Sequence, residues 1–287
     1  MKRILKIVLQ ILAILLFVIL CQLPGGIWMD SWEINKIALP LHYLVASIVY
    51  FLLFFLGFKY IRNRFFKNIE IYGLNEVKIR RSYLLYGISE LILFYAGAMI
   101  IGGHFVFPEM DNYLFAQNAA SFPGTFLVAP VIEELVFRGQ IQGIISKNYN
   151  RYAGVIVSSL VFGAVHLMNG ALSLISALQL IISGALVGIM FSCIYLSTGS
   201  IWASITVHAL YNGIGTLVPV DITSTNDWPV VFVLNSKSQL LTGGDYGFDC
   251  ALTTVIGFII ITVFILHREY KKKQSQSIRT RRAHRHS

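Results

Sequence analysis

Residues 129–139 read APVIEELVFRG and place two adjacent carboxylates, Glu133 and Glu134, one helical turn before Arg138. The stretch lies inside a long apolar run, where a charge facing lipid costs roughly 2.5–3.5 kcal/mol or more. Such charges usually face the interior of a helix bundle or a water-filled cavity. The stretch therefore predicts a membrane-spanning helix with a polar face that serves an internal site.

The composition favours a membrane protein. Of the 287 residues, 56% are hydrophobic and 13% are charged, whereas about 25% are charged in a typical soluble domain. A spanning helix needs about 20 mostly apolar residues. Eight segments approach this requirement: 4–23, 39–58, 83–103, 122–145, 153–169, 172–196, 199–217 and 249–267. We predict an all-α polytopic membrane protein with about eight transmembrane helices.

Lys and Arg accumulate in alternate connections, which predicts the orientation in the membrane. Basic residues precede the first segment, fill the 59–81 and 146–152 connections, and end the chain from Arg268 onward. The intervening connections are acidic or sparsely charged. We therefore expect an integral cell-membrane protein, multi-pass, with both termini cytoplasmic. This topology accounts for the net charge of +9 without a nucleic-acid partner, and the bilayer itself is the expected partner.

The polar residues divide the chain into three parts. Residues 1–121 hold the N-terminal transmembrane helices and an interfacial loop, and residues 122–217 hold the polar core. Residues 218–287 hold an extracytoplasmic loop, the last transmembrane helix and a basic cytoplasmic tail. The apolar run within the 218–248 loop lies at the membrane interface or covers a cavity. Gly184 and Gly188, four residues apart, permit close approach of a neighbouring helix.

Helical spacing assigns partners within the first polar segment. Residues four apart share a helix face, so Glu134 reaches Arg138, whereas Glu133 is rotated about 100° away. Pro130 removes one backbone hydrogen bond and is expected to bend the helix. An internal ion network that only holds helices together is the alternative interpretation of these charges.

Two later segments each carry a histidine with a partner four residues away. Phe162 precedes His166, and His208 precedes Asn212. Each pair alone is compatible with packing or with a hydrogen-bonded structural contact. Three successive polar-bearing helices favour one shared cavity over three separate structural contacts.

In this order and at these separations, the three motifs resemble the signature of the CPBP family. That family comprises CAAX proteases and bacteriocin-processing enzymes, is also called Abi, and contains the type II CAAX prenyl endopeptidases related to the Ras-converting enzyme. The resemblance covers about residues 120–215. It implies a four-helix catalytic core in segments four to seven.

The resemblance implies an intramembrane endopeptidase, a CAAX-type peptide hydrolase. Glu133 and His166 would activate a water molecule for attack on a peptide carbonyl, because a base must take the proton of the water. His208 and Asn212 would stabilise the oxyanion that forms. Three further residues would support these groups: Glu134, Arg138 and Phe162.

A metal site is the competing interpretation. One carboxylate and two histidines, here Glu133, His166 and His208, form a legitimate zinc ligand set. The two histidines lie on different segments, however, and no His-Glu-x-x-His sequence is present. The resemblance favours hydrolysis without a metal, so we expect no cofactor, with zinc as the alternative.

The expected substrate is a hydrophobic peptide or protein that is membrane-tethered, prenylated or similar to a peptide pheromone. The abundance of Ile indicates a bacterial protein from an AT-rich genome. A bacterial source makes bacteriocin maturation or self-immunity a stronger expectation than a prenylated substrate. The alternative function is a non-catalytic membrane receptor, immunity protein or transporter that uses the same polar cavity. Against a transporter, the two halves of the chain show no repeat, whereas many transporters have one.

Overall fold

The computed structural model describes residues 2–30, 39–170, 172–224 and 228–283. Within these ranges the chain is almost entirely helical. The α-helices are α1 (Lys2–Asp30), α2 (Leu39–Phe65), α3 (Arg81–Ile101), α4 (Asn112–Pro123), α5 (Ala129–Glu134), α6 (Gln142–Asn148), α7 (Arg151–Val165), α8 (Leu174–Thr198), α9 (Ile201–Leu217), α10 (Gln239–Thr242) and α11 (Leu252–Ala283). The predicted loop after the first segment and the end of the basic tail lie partly outside the described residues.

The predicted fold class, an all-α polytopic membrane protein, is confirmed. In the described part of the chain, seven helical runs are long and apolar enough to cross a membrane. The predicted segment 199–217 corresponds to α9, which is not among these seven, because its 17 residues are fewer than the roughly 20 that a span needs. Ile201, Ala203 and Val207 of α9 are completely buried. This short helix is enclosed by its neighbours instead of facing lipid along its length.

The paired glutamates lie on one helical run from Asn112 to Asn148. Two π-helical turns occur within this run. These turns span Gly124–Val128 and Leu135–Ile141 and flank α5 on both sides. Pro130 follows the first turn, in which the Ala129 N–H donates to the carbonyl of Gly124, five residues back. A proline in a regular helix removes a hydrogen bond and clashes with the carbonyl four residues before it. The sequence predicted a simple bend at Pro130. The structure instead has a π-helical turn directly before this proline.

Glycines bring α7 and α8 into backbone contact. A Cβ atom on Gly184 would lie 2.6 Å from the Cα of Gly163, and one on Gly188 would lie 2.9 Å from the Cβ of Ser159. Only glycine leaves room for such a crossing. The close approach predicted from the spacing of Gly184 and Gly188 is confirmed.

We expect Gly163→Ala to lower the free energy of unfolding by about 1–3 kcal/mol, the usual cost of overpacking. The new Cβ would lie 2.6 Å from the carbonyl oxygen of Ile181 and 3.0 Å from the amide nitrogen of Ala185. Because both are backbone atoms, the helices must separate. Thermal unfolding in detergent measures the effect. Gly215→Ala on α9 is the matched control, since its added Cβ would meet no atom within 4 Å in the described residues beyond its chain neighbours and the backbone of its own helix. Equal midpoints for the two variants would contradict the close crossing.

A small sheet closes one end of the helical bundle. Its strands are β1 (Gly103–Val106), β2 (Val220–Asp221) and β3 (Val231–Leu234), in the order β1-β3-β2. The central strand β3 pairs antiparallel with β1 and parallel with β2. The apolar run of the 218–248 loop is thus β3, and it connects the end of α3 to the end of α9. Residues 219–221, which include β2, border a cavity that is described below.

Candidate active site

A buried ion pair lies at the centre of the polar core. Arg138 Nη1 lies 3.0 Å from Glu134 Oε1, and at most 1% of either side chain is exposed. Arg138 Nη2 also donates to the Gly188 carbonyl at 3.2 Å. The guanidinium carbon lies 4.4 Å from the ring centroid of Phe162 and 5.2 Å from that of Phe191. The contact predicted from helical spacing is therefore present, and aromatic rings enclose it.

Glu134 also holds a histidine from another helix. Its Oε1 atom lies 3.0 Å from Nδ1 of His208 on α9, whose ring stacks on Phe191 with centroids 4.6 Å apart. A carboxylate at one ring nitrogen fixes the tautomer and the orientation of an imidazole. The other nitrogen, Nε2, lies 3.7 Å from Oε2 of Glu133. The link from Glu134 to α9 was not predicted.

The two adjacent glutamates have different surroundings. The Glu133 side chain is 26% exposed, whereas that of Glu134 is completely buried. Glu134 is shared between Arg138 and His208. Glu133 keeps an accessible carboxylate near a ring nitrogen, which suits a group that exchanges protons with a bound molecule.

His166 lies at the end of α7, one turn after Phe162. Its Nδ1 atom is 2.7 Å from the carbonyl oxygen of Phe162, so the ring N–H donates to this carbonyl and Nε2 stays available. The two rings also contact each other, with centroids 4.6 Å apart. The aromatic neighbour predicted for this histidine is present, and its backbone adds an orienting hydrogen bond.

Asn212 lies one turn after His208, but the two side chains bind different partners. Asn212 Nδ2 donates to the carbonyl of Thr125 at 3.4 Å, while His208 Nδ1 contacts Glu134. The alternative interpretation was a purely structural hydrogen bond between His208 and Asn212. Both side chains bind other groups instead.

Two cavities bring the predicted site residues together. One, of about 520 Å³, is lined by Glu133, His166, His208 and Asn212. The other, of about 530 Å³, is lined largely by apolar residues of α1 and α5, and it also reaches Glu133 and His166. The shared cavity that the three motifs favoured is therefore present, with a second, apolar chamber beside it.

Asp249 lines the first cavity and was missed from the sequence. It lies just before α11 and accepts a hydrogen bond from the Tyr211 hydroxyl. Asp221 of β2 lines the same cavity. Neither aspartate belongs to a motif, and their only sequence signal is an acidic side chain at the edge of an apolar segment. The cavity therefore contains three carboxylates, counting Glu133.

The zinc ligand set considered above does not fit the arrangement. Among the residues that the structure describes, no group of three His, Cys, Asp or Glu side chains is placed to hold a metal ion. We therefore derive no chemical step through a metal.

Comparison with known proteins identifies the core. Residues 115–214, which contain all the motif residues, match the family model described as type II CAAX prenyl endopeptidase Rce1-like. The resemblance to the CPBP family that the motifs indicate is confirmed for this part of the chain. The CPBP match starts in α4 and ends in α9. It therefore includes both π-helical turns and the buried ion pair.

A curated relative extends the comparison. Over 121 residues the chain is 29% identical to "Putative membrane peptidase YdiL" of Bacillus subtilis (strain 168), an alignment that covers 41% of this chain. The alignment spans 43% of the length of that relative. The similarity to the family model and to this relative is therefore a similarity of part of the chain.

Proposed function

We propose that this protein is an intramembrane endopeptidase that hydrolyses a peptide bond in a hydrophobic or membrane-tethered substrate. The observation that carries the proposal is the convergence of Glu133, His166, His208 and Asn212 on one cavity. These residues come from three separate helical elements, and each presents a polar group of a kind that amide hydrolysis requires. The match of residues 115–214 to the type II CAAX prenyl endopeptidase Rce1-like family model supports the same activity.

In the proposed mechanism, Glu133 is the general base. A water molecule lies between its carboxylate and Nε2 of His166, which is available because Nδ1 donates to the Phe162 carbonyl. Glu133 takes a proton as the water oxygen attacks the peptide carbonyl carbon. The same proton passes to the amide nitrogen as the C–N bond breaks. The products are one new carboxyl group and one new amine.

His208 and Asn212 stabilise the oxyanion in this mechanism. In the imidazolium form of His208, Nδ1–H donates to Glu134 and Nε2–H donates to the carbonyl oxygen as it gains charge, together with the Asn212 amide. Glu134 and Arg138 act as positioning residues, because Glu134 holds His208 through Nδ1. Preorganised donors contribute strongly in a cavity from which bulk water is excluded.

The apolar chamber supports a membrane-borne substrate. Leu12, Leu15 and Leu16 of α1 face Glu133 and His166 across about 530 Å³. A hydrophobic segment that enters this chamber would bring its backbone to the two polar residues. Maturation of a bacteriocin or peptide pheromone, and the self-immunity connected with it, are biological roles compatible with such a substrate.

The charge of the polar cavity predicts a preference among peptides. Glu133, Asp221 and Asp249 line it, and its lining residues include no Lys or Arg. A free C-terminal carboxylate close to the scissile bond would meet like charges, which disfavour binding. We expect an amidated peptide to be cleaved several-fold faster than the same peptide with a free C-terminus. Asp249→Asn should reduce the difference in cleavage rate between the two peptides. The substitution removes one charge but keeps an acceptor for the Tyr211 hydroxyl. If the ratio of the two cleavage rates were the same in wild type and variant, this role of Asp249 would be contradicted.

The proposal is tested with purified protein in detergent and a panel of hydrophobic and prenylated peptides. Cleavage in ¹⁸O-labelled water should place one ¹⁸O atom in the new carboxyl group, and mass spectrometry detects it. A strong chelator should leave the rate unchanged; a rate that falls with chelator and recovers with zinc would restore the metal alternative. Specific peptide binding without any cleavage would favour the receptor or transporter alternative.

A further inference from the structure

A third cavity, of about 670 Å³, lies between the start of α1, the end of α2 and the end of α6. None of the residues that line it lines either cavity at Glu133. Six of its lining residues are basic: Lys2, Arg3, Lys6, Arg64, Lys67 and Lys147. Among the described residues, no acidic side chain lines it, although Glu70 borders an adjacent cavity that shares Lys147. The basic cavity, as we call it, concentrates positive charge contributed by three helices.

The cationic groups of the basic cavity have few protein partners. Within the described part of the chain, none of the six forms an ion pair with a carboxylate. Arg3 Nε donates to Asn148 Oδ1 at 3.1 Å, and Lys147 Nζ donates to the carbonyl of Asn68 at 3.1 Å. Both acceptors are uncharged. Six clustered cations therefore repel one another unless an anion binds between them.

The walls of the basic cavity are partly apolar. Ile7, Phe66 and Ile69 form a buried base, at most 7% exposed, while the Leu5 and Leu9 side chains are more than half exposed. Since Leu5 and Leu9 belong to a spanning helix, they continue the cavity toward the hydrocarbon region. A ligand that fits both parts carries a phosphate group and an acyl chain. A nucleic acid or a soluble sugar phosphate would leave the apolar part uncovered.

We propose that the basic cavity binds the headgroup of an anionic phospholipid and that the bound lipid fastens α1 to α2 and α6. Basic pockets between transmembrane helices commonly bind such headgroups. Lys2, Arg3 and Lys6 come from α1, Arg64 from the end of α2 and Lys147 from α6. A phosphate at their centre joins three elements whose like charges otherwise separate them.

The bound lipid also affects the candidate active site, because α1 lines the apolar chamber. Further along α1, Leu12, Leu15 and Leu16 line the apolar chamber that reaches Glu133 and His166. α6 continues the helical run that carries Glu133. The lipid therefore holds one wall of the chamber against the helix of the proposed base. Lipid binding is independent of peptide hydrolysis, so its test needs no activity measurement.

The test compares wild type with a triple variant, Lys2→Gln, Lys6→Gln and Lys67→Gln. None of these three side chains has a hydrogen bond to the protein in the described structure, so their replacement removes charge without breaking a contact. The matched control replaces Lys271, Lys272 and Lys273 of the exposed tail by glutamine, which changes the net charge equally. All proteins are reconstituted in nanodiscs containing either phosphatidylglycerol or phosphatidylcholine. Thermal unfolding and native mass spectrometry are the readouts.

We expect phosphatidylglycerol to raise the unfolding midpoint of wild type and of the tail control by about 5 °C relative to phosphatidylcholine. The triple variant should lose at least half of this shift and retain less bound lipid. An equal loss in the tail control would overturn the proposal, because charge anywhere on the protein would then suffice. The same shift produced by inorganic phosphate in phosphatidylcholine nanodiscs would also overturn it, since a free anion would then be the ligand.

Discussion

Glu133→Gln is expected to lower kcat for peptide hydrolysis by about 10²- to 10⁴-fold, the usual contribution of a general base. The amide keeps the size of the carboxylate and one acceptor oxygen, but it cannot accept the proton of the attacking water. KM should change by no more than about threefold, because the loss affects the transition state and not ground-state binding. Steady-state kinetics on one cleavable peptide, with both proteins at the same detergent concentration, measures both parameters.

Two controls separate this effect from loss of structure. Glu109→Gln changes an exposed carboxylate in the connection before α4 and should keep full activity. The thermal midpoint of Glu133→Gln should match that of wild type, since the side chain is 26% exposed and forms no ion pair with Arg138. Residual activity above one tenth of wild type would remove Glu133 from its role as base and point to Glu134.

Arg138→Met is expected to lower the free energy of unfolding by about 3–5 kcal/mol, the usual effect of breaking a buried ion pair by removing one partner. The substitution leaves the completely buried Glu134 with His208 as its remaining ion-pair partner among the described residues. It also removes the guanidinium from the rings of Phe162 and Phe191 and the hydrogen bond to Gly188. Thermal or denaturant unfolding in detergent measures the loss, and activity should fall with it because His208 loses its anchor.

A double substitution tests whether the charge or the packing dominates. Glu134→Gln with Arg138→Met removes both charges and keeps an amide oxygen for Nδ1 of His208. If uncompensated charge is the main cost, the double variant should be more stable than either single variant. Arg80→Met, at an exposed arginine before α3, should be neutral. Additive losses in the double variant would instead assign the effect to lost packing around the guanidinium.

Local contacts of the site could be predicted from the sequence, and long-range contacts could not. The contact between Glu134 and Arg138, and that between Phe162 and His166, follow from helical geometry alone, because residues four apart share a face. The bond from Glu134 to His208 joins residues 74 positions apart. Its existence depends on how α5 and α9 pack, and no periodicity encodes that.

The same distinction explains Asp249 and the sheet. Asp249 enters the cavity because the turn before α11 packs beside Tyr211, so its neighbours along the chain carry no sign of the site. The strands β1 and β3 pair residues such as Gly103 and Leu234, and β2 contains two residues. Strands this short have no detectable alternation, and only tertiary pairing stabilises them. Membrane-spanning segments, by contrast, are identified by their length and hydrophobicity, and both can be read directly from the sequence.

The number of residues in the π-helical turn at Gly124–Val128 determines how α4 is oriented around the helix axis. Such a turn holds one residue more than an α-helix does, and one residue corresponds to a rotation of about 100° around the helix axis. The directions in which the α4 side chains point, relative to Glu133, therefore depend on that additional residue and not on the identity of any side chain. A deletion of one residue in this turn would therefore change the direction of every α4 side chain relative to Glu133.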